Sequence, residues 1–173
     1  MPLDPLDALS PIDGRYARAT ERLRPHLSEA ALVRERIRIE AHWLLQLAGP
    51  DAPALPSGPR LAPQVEALAR ALAASPPDDA PAAVKAIEAR INHDVKAVEY
   101  WVRDRLQQAG ADPATLELVH FGCTSEDVNN LSYARMLQAG RTAMLGALVP
   151  LIATLRELAR RHAALPMLAR THG

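Results

Sequence analysis

The chain has 173 residues, enough for one ordinary domain that buries about 70% of its unfolded surface, and its 20 basic and 20 acidic side chains cancel. That balance excludes the long-range field of a non-specific nucleic-acid or anionic-membrane binder, and leaves a small molecule or a protein as the expected partner. With 49% apolar but only 3% aromatic residues, the core is expected from Leu, Val, Ile and Ala on packed helices, an all-α class.

In chain order, the first residues, MPLDPLDALSP, have neither the basic start nor the apolar run of a signal peptide. SPIDGRY, residues 10–16, reads as a surface turn: Gly14 permits a tight bend, and Arg15 offers a forked donor for phosphate or carboxylate, with Tyr16 beside it. Ser28 caps a helix with Glu29 in its first turn, and Val33, Ile37, Ala41, Leu44 and Ala48 follow at helical spacing until Gly49-Pro50 ends it. Five prolines in residues 49–63 make a surface connection. A short helix from about Pro63 to Ala74 precedes a second break at SPPDDAP.

From Pro81 the spacing of Val84, Ile87, Ile91, Val95, Val98, Val102 and Leu106 predicts one amphipathic helix of more than six turns, closed by Ala109-Gly110. On that helix Asn92, His93, Lys96 and Tyr100 share the face opposite the core: an amide, an imidazole, an ammonium and a phenol able to hold a polar ligand, though such a face is usually just solvated. Asp112-Pro113 starts a short segment reaching Val119. Val128 to about Leu165 reads as one very long helix with Leu131, Ala134, Leu145, Leu148, Ile152, Leu155 and Ala159 on its buried side and a kink or split at Pro150. It is too long to be covered by so small a chain, which points to partner helices. About 18 apolar residues never run uninterrupted, so no membrane span is expected.

The densest polarity is VHFGCTSEDVNN, residues 119–130. Thr124 with Asp127 three residues on matches a capping box; read functionally, the bare N–H groups, the hydroxyls of Thr124 and Ser125, the close approach allowed by Gly122 and a donor from His120 make a seat for a carboxylate or phosphate. Cys123 is the only cysteine, which excludes an intrachain disulfide and fits a reducing, cytoplasmic location. No HExxH or paired-histidine spacing appears, so no protein-bound metal is expected.

Taken in order, SPIDGRY, NHDVKAVEY, HFGCTSEDVNN and the terminal RTHG resemble the N-terminal part of the adenylosuccinate lyases, a family of the fumarase/aspartase superfamily, from about Ser10 to Gly173. The resemblance implies an N-terminal helical domain over residues 1–125 and the start of a central helical bundle over 126–173. It also implies β-elimination of fumarate from a succinylated purine nucleotide, no cofactor, and a homotetramer whose subunits share active sites. His172 would then be the general acid on the leaving nitrogen. Thr124 and Ser125 would hold succinyl carboxylates, and Arg15, Tyr16, Asn92, His93 and Asp94 would bind phosphate and other substrate groups, with His120 lining the same pocket. The family's serine loop, SSxMPxKxNP, does not occur in these residues, so the 173-residue chain is expected to be inert alone. Two other readings are argininosuccinate lyase or another fumarate-releasing enzyme, and a non-catalytic helical assembly module.

Overall fold

The computed structural model describes residues 4, 6–49 and 60–168. Among them there is no strand: seven α-helices are joined by turns. After a 3-10 turn over Glu21–Leu23 come α1 (Arg24–Leu27) and α2 (Glu29–Leu47). Ser28 starts α2 as expected, its hydroxyl accepting the Ala31 N–H at 3.2 Å. Next are α3 (Pro63–Ala74), α4 (Ala80–Ile91), α5 (Asp94–Gln108), α6 (Pro113–Glu117) and α7 (Ser125–Arg161).

Helix α2 is the centre of the fold. Its Val33, Ile37, Ala41 and Leu44 are fully buried and pack into one core with Val65 and Ala69 of α3, Val84 of α4 and Val98, Val102 and Leu106 of α5. Burying side chains of this size contributes roughly 1.5–3 kcal/mol each.

The single helix expected over residues 81–106 is two. Asn92 closes α4 in the left-handed conformation (φ 54°), donating its N–H to Glu88 at 2.7 Å. His93 is extended and caps α5, its Nδ1 accepting the Lys96 N–H at 3.1 Å. The apolar spacing runs through the break because both helices present their stripes to the same core, so periodicity alone could not reveal one left-handed residue. The shared polar face dissolves with it: Asn92 and His93 lie in the junction, while Lys96 packs 5.3 Å over the Tyr100 ring and pairs with buried Glu99 at 2.8 Å.

Helix α7 is continuous through Pro150, neither split nor ended there, and the Thr154 hydroxyl donates to the Pro150 carbonyl at 3.0 Å. The buried side differs from the expected one. Leu131, Ala134, Leu145, Leu148, Ile152, Leu155 and Ala159 are all exposed, and the packed stripe is Val128, Ser132, Met136 and Gly140, against α1 and α2. The four-residue step of that stripe ends on a glycine, and a Cβ on Gly140 would stand 3.2 Å from the Leu27 methyls, which would have to move by a few tenths of an ångström. Beyond Gly140 the helix is exposed almost throughout. By length and composition α7 could also cross a membrane, which the criterion of an uninterrupted apolar run did not flag.

Candidate functional site

Two charged residues one turn apart on α2 lie in the core: Arg36 is 3% and Glu40 1% exposed. Each reaches a different polar stretch. Arg36 Nη2 donates to Asp94 Oδ2 at 2.7 Å and its Nε to Asn129 Oδ1 at 2.9 Å. One guanidinium thereby ties the start of α5 to the second turn of α7. Asp94 is held below the usual carboxylate range: partial burial opposes its charge, but the Val95 N–H and the Arg36 guanidinium outweigh that.

Glu40 sits 2.5 Å from His120 Nδ1. His120 begins a tight turn with two left-handed residues, His120 (φ 63°) and Gly122 (φ 70°). The Trp43 indole N–H donates to the Phe121 carbonyl at 2.8 Å, and the Cys123 N–H donates to the His120 carbonyl at 3.2 Å. Burial pushes Glu40 above its ordinary value, with the His120 bond acting against that shift. Cys123 is likewise raised, by burial first and then by Glu40 and Asp127, so it is a thiol at neutral pH rather than a nucleophilic thiolate. Between this turn and α2 lies a cavity of about 260 Å³ lined by Ile39, Glu40, Trp43, Gly122, Cys123 and Leu131, among others.

The capping box at Thr124 is realised in full. Asp127 donates its N–H to the Thr124 hydroxyl oxygen at 3.4 Å, and its carboxylate accepts the Thr124 N–H at 2.7 Å and the hydroxyl at 2.8 Å. Those two donors hold Asp127 below the usual carboxylate range. The anion seated at Thr124 is therefore Asp127's own carboxylate. Ser125 carries the next hydroxyl, and it has no hydrogen-bond partner among the described residues.

The sequence-derived set thus falls into three groups. Asp94 is tied directly through Arg36 to Asn129 in the second turn of α7, and Asn92 and His93 stand immediately before Asp94; His120, Thr124 and Ser125 sit in and just after the turn that Glu40 and Trp43 hold. Arg15 and Tyr16 are elsewhere in this chain. Their segment is fastened by Arg24–Asp13 at 3.3 Å and by the Thr20 hydroxyl on the Ile12 carbonyl at 3.1 Å, next to α1. Helix α1 meets α7 at Gly140, about four turns from Thr124. There Arg15 stacks 5.5 Å over the exposed Tyr16 ring. His172 lies outside the described residues. Sequence reasoning missed Arg36, Glu40 and Asn129. A signal for Glu40 existed: at 100° per residue it falls between Leu47 and Val33, two apolar residues of the core-facing side. Among the described residues no group of three His, Cys, Asp or Glu side chains could hold a metal ion.

Residues 14–173 match the family model described as lyase. The chain is 37% identical to adenylosuccinate lyase of Legionella pneumophila (strain Corby) and 39% identical to adenylosuccinate lyase of Escherichia coli (strain K12), in each case over all of this chain and 38% of the relative. It is 37% identical over 98% of its length to adenylosuccinate lyase of Buchnera aphidicola subsp. Baizongia pistaciae. The chain therefore spans about 38% of the length of relatives such as the first two.

Proposed function

The chain belongs to the lyase family, and on that premise we propose that the protein it forms cleaves N6-succinyl-AMP to AMP and fumarate, and the succinylated imidazole carboxamide ribotide to its carboxamide and fumarate, in purine biosynthesis. One observation supports the reading: the Arg36 guanidinium bonds both Asp94 at the start of α5 and Asn129 one turn into α7. A substrate with two carboxylates and a phosphate requires such a gathering of donors, because abstracting the proton beside a carboxylate builds charge on its oxygens, where fixed N–H and O–H groups act most strongly. In this reading Ser125 and the first N–H groups of α7 receive a succinyl carboxylate, with Thr124 available only as Asp127 yields its place. His93 and His120 flank the pocket, Asn92 and Asp94 shape its edge, and His172 protonates the departing nitrogen, an effect worth about 10²–10⁴-fold.

Arg15 and Tyr16 belong to the same reading as phosphate ligands of a neighbouring subunit's site, since their segment is fastened to α1, which meets α7 at Gly140 rather than at Thr124. That requires a homotetramer built on α7. Its support is the row of exposed Leu137, Leu148, Val149, Leu151 and Leu155, which partner helices would cover in place of lipid. A cytoplasmic location and the absence of nucleic-acid partners complete the proposal, resting on the single cysteine and the balanced charge.

The test uses the complete gene product that carries this sequence, incubated with N6-succinyl-AMP and, separately, with argininosuccinate. Fumarate release from the first alone is expected. Release only from the second, or from neither, overturns the reading.

A further inference from the structure

The Glu40–His120 pair has features that holding a turn does not require. Glu40 is 1% exposed, one carboxylate oxygen meets His120 Nδ1 at 2.5 Å, and its Oε2 is buried without a hydrogen-bond partner among the described residues. The histidine side chain is 18% exposed, so one edge of the ring is enclosed and part of it is open. Its backbone is left-handed, at a cost of about 1–2 kcal/mol for a non-glycine residue, and such a conformation persists only where its surroundings over-determine it. Glu40 on the ring and Trp43 on the next carbonyl do so here. An imidazole whose Nδ1–H is given to a carboxylate has its Nε2 left as the working atom, an acceptor when the ring is neutral and a donor when it is cationic.

We propose that Glu40 is a positioning residue for the elimination reaction, holding His120 in the Nδ1–H tautomer so that Nε2 is presented to the succinylated substrate. This rests on the functional reading above. The groups around the pair come from every packed element: Glu40 from α2, Glu99 from α5, Cys123 in the turn and Asp127 from α7, with Arg36 one turn away on α2 directed to Asp94 and Asn129.

Two measurements on the complete gene product test this. Neutron diffraction from crystals at about pH 8 should show deuterium on His120 Nδ1 facing Glu40; a bare Nδ1 overturns the proposal, and this reading needs neither a variant nor activity. In Glu40→Gln, kcat should fall about tenfold or more with KM changed less than about threefold. A kcat within about twofold of wild type, or a loss confined to KM, overturns it. Should wild type release no fumarate, the functional reading fails instead, and the neutron map still decides the tautomer.

Discussion

Removing the Arg36 guanidinium would strand polar groups on two helices at once, Asp94 on α5 and Asn129 on α7. Loss of one partner of a buried pair costs about 3–5 kcal/mol, and because Asp94 is about half exposed the expected destabilisation for Arg36→Ala is roughly 2–3 kcal/mol, read by urea denaturation. Arg36→Lys keeps the charge but not the forked geometry and should recover only part of that. Acid acts on the same region with a definite sign. Asp94 and Asp127 both have folded-state values below the unfolded 3.8, so their contribution is complete above that pH and is lost as pH falls through the depressed folded values. Glu40, raised by burial, has the opposite sign: its protonated form favours the fold, so its contribution fades as pH climbs from about 4.5. Asp127→Asn should therefore flatten the acid-side loss of stability in a melt series below pH 4, and an unchanged slope would contradict the assignment. At this scale the capping box of Thr124 and Asp127 was legible because a short-range signature names it. Arg36 was not, since a charged residue beside an apolar stripe usually snorkels to water, and only the fold brings Asp94 and Asn129 to meet it.

Helices α4 and α5 are separated by the left-handed Asn92, which glycine adopts without strain and β-branched residues do not. Asn92→Gly should hold thermal stability close to wild type, whereas Asn92→Val should lose about 1–2 kcal/mol and favour the unbroken helix that the apolar spacing predicts. Circular dichroism would register the second change as lost stability with no loss of helix. The capping box at the start of α7 is worth about 1 kcal/mol, so Thr124→Ala should lower the unfolding free energy by that amount. The starts and stops of α2, α3, α6 and α7 were readable within a few residues because Ser28, Pro63, Asp112 and Thr124 are local signals. The buried side of α7 was not. Its sequence is apolar on more than one side, and which stripe packs within the chain is decided by α1, α2 and the contact that Gly140 permits with Leu27.

At the largest scale, the described residues form a core closed around α2 and a shaft leaving it. From Gly140 to Arg161 the helix extends about 30 Å past its last buried residue, with Leu148, Leu151 and Leu155 facing outward. Helical class and an overlong final helix could be read from composition and spacing, while the split between a packed first half and a bare second half required the fold. On the proposed assembly through α7, the melting temperature of the complete gene product should rise on concentration, and Leu148→Arg should abolish both that rise and any oligomer measured by sedimentation. The 173-residue chain expressed alone should release no fumarate. It should nevertheless interfere. In the proposed homotetramer a copy carrying only these residues would compete for the same seats as the complete gene product, so producing both in one cell should yield hybrid particles whose specific activity falls as the shorter form increases.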